Sequence, residues 1–206
     1  MKPLSRRNLL KRSTAIAGAA LVSPVAIASI LTPSASEGPF YPNPSMRFDD
    51  IDNDLVKVSD AVTQAGGEII LLKGRVVSRE GEPLVGHRIE IWQCDVNGRY
   101  LHPRDERHAG YDTGFQGFGH DITDDKGGYQ FRTIKPTNYP GRAPHIHVKV
   151  WDGEKELLTT QFYLAGYQFN DSDGLYRLLS AEQAESVSMV FTEHDNVLET
   201  QVDVII

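Results

Sequence analysis

The sequence predicts an all-β fold, a β-sandwich of mixed topology with long loops and one short helix. Three observations predict it. Short runs rich in Val, Ile, Phe and Tyr recur from Glu68 onward, the pattern of half-buried and fully buried strands. Turn-forming clusters separate them, namely Glu80-Gly81-Glu82-Pro83, Asp95-Val96-Asn97-Gly98 and Asp124-Asp125-Lys126-Gly127-Gly128, whose Gly, Pro, Asn and Asp supply tight-turn backbone geometry. The chain is also of single-domain size, 206 residues, and about seven short strands with such punctuation argue for a sandwich.

Taken in order, the expected strands are Ile69–Val77, His87–Cys94, Gly128–Ile134, His145–Trp151, Leu157–Leu164, Ser186–Thr192 and Leu198–Ile206. A helix is expected over Ser180–Glu185, where Ser180 and Gln183 have capping-box spacing. Arg99–Asp121, rich in Gly, His and aromatics, reads as one long loop of functional length. Residues 68–206 are therefore the expected sandwich domain. Residues 29–67 are irregular, with Pro33, Pro39, Pro42 and Pro44 early and an acidic stretch after them. They read as an extended arm, most distinctive at Glu37-Gly38-Pro39-Phe40-Tyr41-Pro42.

Residues 1–28 read as an address. Ser5-Arg6-Arg7-Asn8-Leu9-Leu10-Lys11 looks like a twin-arginine export signal. The apolar run Ala15 to Val22 ends at Ser23-Pro24, and Ala26-Ile27-Ala28 has the small-x-small cleavage pattern. That run is too short to span a bilayer, which takes ~20 apolar residues. The expectation is a periplasmic or secreted protein that passes the twin-arginine machinery and keeps no membrane anchor. Five of the 21 Lys and Arg residues and none of the 28 Asp and Glu lie in this segment. The remainder thus carries 16 basic against 28 acidic residues, a net of −12, which repels nucleic acid and anionic membranes. The lone Cys94 cannot form an internal disulfide, and its place in an apolar strand suggests a buried, inert thiol.

His145-Ile146-His147 is the sharpest chemical feature. Strand side chains alternate, so the two imidazoles share one face about 7 Å apart while Ile146, Val148 and Val150 share the other. Spacing alone leaves two readings open, a polar strand face and a metal site. Two tyrosines near glycines add to the second. Tyr100 follows a strand in Asn97-Gly98-Arg99-Tyr100, and Tyr139 lies in Asn138-Tyr139-Pro140-Gly141-Arg142-Ala143-Pro144, leading into the histidine strand. A phenol with a pKa near ~10 becomes a good anionic ligand only beside a strongly Lewis-acidic ion, and iron(III) is apt. Zinc sites favour a different mix of Cys, His and carboxylate.

These pieces resemble the intradiol ring-cleavage dioxygenases, the family of catechol 1,2- and protocatechuate 3,4-dioxygenases. The resemblance rests on Glu37 to Tyr41, Ile91 to Asp95 with Gly98-Arg99-Tyr100, Gly128 to Pro136, Tyr139-Pro140, Arg142 to His147 and Thr160-Gln161-Phe162-Tyr163, in family order. It implies one iron(III) per chain held by Tyr100, Tyr139, His145 and His147, with Tyr139 as the tyrosinate that leaves on substrate binding. It further implies long active-site loops, and a catechol-type substrate opened by O2 between its hydroxylated carbons to a muconate-type diacid. Arg142 would stabilise charge developing on the ring, with Gln161 beside it. Only Pro140-Gly141 separate Tyr139 from Arg142, a shorter connection than in well-studied relatives, which predicts a more open pocket. The helical dimerisation segment of catechol 1,2-dioxygenases has no counterpart in the match, so assembly by that route is not expected and the oligomeric state stays open.

The competing reading is an exported transthyretin-like binding module without catalysis, from which the four-ligand set is the discriminator. A cupin site is disfavoured because the required acidic residue and second motif do not match. His87, His108 and His194 read as solvated, whereas His102 and His120 flank the long loop as candidate pocket residues. Asp171-Ser172-Asp173-Gly174 fails the calcium-loop pattern, with Phe169 and Ser180 in ligand positions.

Overall fold

The computed structural model describes residues 30–49, 51–58, 64–106 and 110–206. The expected export segment and His108 lie outside them. The elements are β1 (Ile69–Val77), β2 (Arg88–Trp92), β3 (Phe118–Ile122), β4 (Gly128–Ile134), β5 (His145–Asp152), β6 (Lys155–Leu164), α1 (Ala181–Ser186), β7 (Ser188–Met189), β8 (Phe191–His194), β9 (Val197–Gln201) and β10 (Val204–Ile205). Single 3-10 turns occur at Pro44–Met46, Asn170–Ser172 and Tyr176–Leu178. Among the described residues, no helix is long and apolar enough to cross a membrane.

Two mixed sheets form the molecule, as the alternation in the sequence predicts. In the first, β1 pairs antiparallel with β4 along one edge, and parallel with β9 and then β10 along the other, while β8 flanks β9. The second has the order β3-β2-β5-β6-β7, antiparallel except at β7. Ile70, Leu72, Val76 and Phe131 from the first sheet pack against Ile89, Ile91, Ile146, Val148, Val150 and Phe162 from the second. Each such side chain contributes roughly 1.5–3 kcal/mol when fully buried.

Local chemistry explains the turns. β5 and β6 are joined by Gly153-Glu154, with Gly153 at φ 57° in the first central position, where a type II′ hairpin needs glycine. Asp195 and Asn196 both have positive φ between β8 and β9, as a type I′ turn requires. The expected capping box is present at α1, where the Ser180 side chain accepts from the Gln183 N–H and the Gln183 side chain accepts from the Ser180 N–H. Residues 30–49 and 51–58 run across the molecule, bonding backbone to backbone at Thr32–Ile205, Ala35–Thr159 and Leu55–Arg132.

Three expectations require correction. Arg99–Asp121 is not loop throughout, because Phe118–Ile122 forms edge strand β3 beside β2. Its Gly119 marks the close passage of the arm, since a Cβ there would meet the Asp52 carbonyl at 2.5 Å. The strand expected over Ser186–Thr192 breaks at exposed Val190 into β7 and β8, which belong to different sheets. The strand expected over Leu198–Ile206 breaks at Val202-Asp203, where the Val202 carbonyl turns inward to accept from the buried Tyr129 hydroxyl at 2.6 Å.

That last contact leaves no room above β1. A Cβ at Gly74 would lie 1.9 Å from the Val202 carbonyl oxygen and 2.7 Å from the Tyr129 hydroxyl. Gly74→Ala is therefore expected to cost at least about 3 kcal/mol through forced backbone displacement. Urea unfolding checks this, and a variant within about 0.5 kcal/mol of wild type would show that β9 and β10 shift freely.

Candidate functional site

The second sheet is buried on both faces, and its outer face holds the polar chemistry. Across β2, β5 and β6 the register aligns Trp92 with His147 and His147 with Gln161, Glu90 with Lys149, and His145 with Tyr163. All seven are at most 4% exposed. A second apolar cluster of Trp92, Cys94, Tyr100 and Phe118 covers this face, with Phe40, Tyr41, Ile51 and Tyr139 packed on it.

Both expected histidines point there together, and Tyr100 joins them from the loop after β2. Tyr100 Oη lies 3.1 Å from His147 Nε2 and 3.4 Å from His145 Nε2, and the two Nε2 atoms are 3.1 Å apart. Tyr139 stands beside this triangle, its ring 5.5 Å from that of Tyr100 and 6.3 Å from that of His145 between centroids. Gly98 lets the two tyrosine loops meet, for at φ 72° its absent Cβ would lie 2.5 Å from the Asn138 carbonyl. The Asp95 carboxylate ties down the first loop by accepting from the N–H groups of Asn97, Arg99 and Asp112. Asp105 accepts from the Tyr100 N–H at 2.7 Å.

The histidines are held neutral. Burial, then the Arg142 charge, lowers the His145 pKa to about 4. Burial, with His145 and Arg142, pushes His147 well below its ordinary value. The His145 Nδ1–H donates to the Ala143 carbonyl at 2.7 Å, an acceptor that fixes the tautomer and leaves Nε2 as a bare lone pair in the triangle. His147 stacks on Trp92, with centroids 4.7 Å apart and planes 8° from parallel.

The donor set fits a metal ion. Atoms held ~2.0–2.1 Å from a common centre at angles of about 90–110° stand roughly 2.9–3.4 Å apart, the separations of this triangle. Neutral imidazole nitrogens with an outer hydrogen bond of the kind made by His145 are the usual ligand form. Among the described residues no group of three or more His, Cys, Asp or Glu gathers for a metal; here the two histidines are joined by tyrosine oxygen instead.

Arg142 reaches the same corner. Its Nη2 donates to Gln161 Oε1 at 2.6 Å and to the Tyr163 hydroxyl at 3.3 Å, and its Nε donates to Asp173 Oδ2 at 2.8 Å. Asp173 also accepts from the Ala143 N–H at 2.7 Å. Burial alone would raise the Asp173 carboxyl, but the Ala143 and Tyr176 N–H groups and Arg142 together hold it below its ordinary value. Burial pushes the Tyr163 hydroxyl up to about 12, so it stays protonated. Cavities of about 450 and 400 Å³ flank the cluster, the first against Gln161 and Tyr163, the second against Tyr100 and His102.

The structure brings Tyr100, Tyr139, His145, His147, Arg142 and Gln161 together in one region of this face. His102 is buried, facing Phe40 at 5.6 Å. His120 lies on β3 opposite Glu90, on the same face as Phe118. Cys94 is buried, as its apolar strand predicts. Sequence reasoning missed Asp173, Tyr163, Trp92, Glu90 and Lys149. Trp92 and Tyr163 stand within the family-like segments and Asp173 within the acidic turn Asp171-Ser172-Asp173-Gly174, whereas Glu90 and Lys149 carry no local signal.

The family described as Dioxygenase matches residues 36–201. The protocatechuate 3,4-dioxygenase beta chain of Burkholderia cepacia is 38% identical over 124 residues, which are 56% of this chain and 53% of that one. The catechol 1,2-dioxygenase of Candida albicans is 30% identical over 163 residues, 70% of this chain and 51% of that one. The chain spans about half the length of the curated relatives it matches. Among solved structures, the dioxygenase domain of a dioxygenase carbohydrate-binding protein fusion from Streptomyces sp. SirexAA-E superposes with a TM-score of 0.64 at 30% identity, covering 86% of this chain and 98% of that domain. An intradiol ring-cleavage dioxygenase from Tetranychus urticae shares the fold, with a TM-score of 0.67 at 22% identity, covering 86% and 94%.

Asp173→Asn is expected to free Arg142 and the turn around Ala143, costing about 3 kcal/mol at neutral pH as for other broken buried pairs. A depressed carboxyl supports the folded state above its unfolded pKa, ordinarily 3.8, and loses that support as the pH falls through its lower folded value. The wild type's advantage over the variant should therefore shrink below about pH 4. Urea unfolding at pH 7 and pH 3 measures both, and equal stability at pH 7 would remove Asp173 from this role.

Proposed function

Because the chain belongs to the intradiol ring-cleavage dioxygenase family, we propose that it is an iron(III) enzyme that uses O2 to open catechol-type rings between their two hydroxylated carbons, yielding muconate-type diacids. The observation that carries this reading is the triangle of Tyr100 Oη, His145 Nε2 and His147 Nε2, all within 3.4 Å of one another on a buried face, with Tyr139 alongside. Those four side chains would hold one iron(III), whose Lewis acidity ionises the catechol hydroxyls and makes the ring reactive toward dioxygen.

The protein's part is positioning and proton handling. Tyr100 is 3% exposed and braced by its backbone bond to Asp105, which suits a ligand that stays. Tyr139 is half-buried on the turn that its carbonyl closes by accepting from the Arg142 N–H at 3.0 Å. It suits the ligand that swings away, its Oη taking up one substrate proton. Both histidines remain neutral donors throughout. Arg142, held on three sides by Asp173, Gln161 and Tyr163, presents fixed positive charge where the ring gains negative charge. Such preorganised stabilisation is worth several kcal/mol. Both oxygen atoms of O2 end in the two carboxylates, so the reaction needs no external reductant.

Substrate choice among catechol, protocatechuate, hydroxyquinol and larger aryl diols is part of the same proposal, as is placement of the enzyme. Residues 1–28 are proposed as a twin-arginine signal, residues 29–67 as the arm and residues 68–206 as the catalytic domain of a periplasmic or secreted protein. The net charge of −12 beyond the signal disfavours nucleic acid and anionic membrane as partners.

Protein from iron-supplied cells should be reddish from tyrosinate-to-iron charge transfer and contain one iron per chain. Oxygen uptake across a catechol panel, with mass spectrometry of the products, should show both oxygen atoms incorporated. Tyr100→Phe and His147→Ala should lose iron and colour. Arg142→Ala should keep both while kcat falls about 10²–10³-fold. A colourless, iron-free wild type would favour a binding module, and normal turnover by Arg142→Ala would refute the role of that cation.

A further inference from the structure

The arm motif Glu37-Gly38-Pro39-Phe40-Tyr41 lies directly over the histidine–tyrosine cluster. Phe40 stacks on Tyr100 at 5.0 Å and 27° and meets Tyr139 edge-on at 6.1 Å. Gly38, at φ 75°, passes so close to His147 that a Cβ would lie 3.4 Å from its Cε1. Tyr41 sets its ring edge-on to Trp92 at 4.9 Å, and Trp92 is the plane on which His147 stacks. The strap therefore touches three of the four candidate ligands directly or through one ring.

Buried charge pins the strap at both ends. Lys149 is two residues beyond His147 on the same face of β5, and its side chain is 3% exposed. Its Nζ is paired with Glu37 and with Glu156 at 3.2 Å, and lies 4.2 Å from the Tyr41 ring centre. Glu90, opposite Lys149 in the register, accepts from the Tyr41 hydroxyl at 2.7 Å and from Trp151 Nε1 at 2.9 Å. A third tie links the strap to the arginine, because Gln161 Nε2 donates to the Ser36 carbonyl at 2.9 Å while Gln161 Oε1 accepts from Arg142. Replacing a buried ion pair by well-packed apolar residues is often neutral or stabilising, so stability alone gives a weak reason for a lysine here. Conformational specificity gives a stronger one.

We propose that Lys149 is a positioning residue: its buried ammonium, paired with the partly exposed Glu37, and its seat on Tyr41 fasten the strap, and the strap sets the orientation of Tyr100 and His147. This rests on the reading of the cluster as a metal site, and the test separates the two.

Full-length wild type, Lys149→Met, Lys149→Arg and the control Lys73→Met are compared. The control removes the exposed Lys73–Glu199 ion pair of the first sheet. The measurements are thermal unfolding, amide hydrogen exchange of residues 36–41, the visible band after iron(III) loading, and iron release to a chelator. Lys149→Met is expected to unfold cooperatively, yet to exchange the strap amides about tenfold faster, to displace the tyrosinate band, and to release iron about tenfold faster. Lys149→Arg should restore all three, and Lys73→Met should alter at most the unfolding temperature. Lys149→Met that changes only the unfolding temperature overturns the proposal. If wild type takes up no iron, the metal reading fails on its own, and unchanged exchange of residues 36–41 in Lys149→Met then overturns the strap as well. Should Lys149→Met fail to fold, Glu37→Gln carries the same expectations and the same refutation.

Discussion

The site depends on a strand, β5, buried on both of its faces. Alternation along β5 sends Ile146, Val148 and Val150 into the sandwich core and His145, His147 and Lys149 to the other side. In most sandwiches that other side meets water. Here the arm, Trp92 and the two tyrosine loops cover it, so polar side chains sit where each must find a partner or a ligand. Two neutral imidazoles and a phenol converging without an intervening carboxylate are poorly matched to one another as hydrogen-bonding groups. A Lewis-acidic cation would satisfy all three together.

Strand periodicity made much of this legible. Ile69–Val77 and Gly128–Ile134 stand out because one is bounded by turn residues and the other begins in a glycine pair. Ser180 with Gln183 announces the helix through local chemistry alone. The misses have a common cause. Phe118–Ile122 contains Gly119 and two polar residues, so its strand character comes from pairing with β2 rather than from its own composition. Val190 and Val202 are apolar residues at breaks, and only the choice of sheet partner shows why the chain turns there. The candidate ligands could be named from sequence because His-x-His and the tyrosine loops are local motifs. Asp173 lies 31 residues from Arg142 and Glu37 lies 112 from Lys149, distances over which no local pattern pairs a charge with its partner.

Electrostatically, the corner around Arg142 runs against the rest of the chain. The protein beyond residue 28 is strongly acidic, and a catechol bound as a dianion would be repelled by a diffuse negative field. Arg142 offsets this locally. Asp173 both neutralises part of that cation and aims it, since one carboxylate oxygen receives the Arg142 Nε–H and the Ala143 N–H. Ala143 in turn supplies the carbonyl that fixes the His145 tautomer. One acidic side chain therefore orients both the arginine and, through a single peptide segment, the neighbouring histidine.

Gln161 closes the circuit. Its amide oxygen takes the Arg142 guanidinium and its amide nitrogen gives to Ser36 at the start of the strap, while Phe40, four residues on, lies against Tyr100 and Tyr139. Displacing the strap would cost the buried Gln161 amide its Ser36 acceptor and leave the buried Lys149 paired with Glu156 without Glu37, so the two losses come together. A preorganised site requires a rigid frame, and here the frame is built from hydrogen bonds that meet at Gln161 and Asp173.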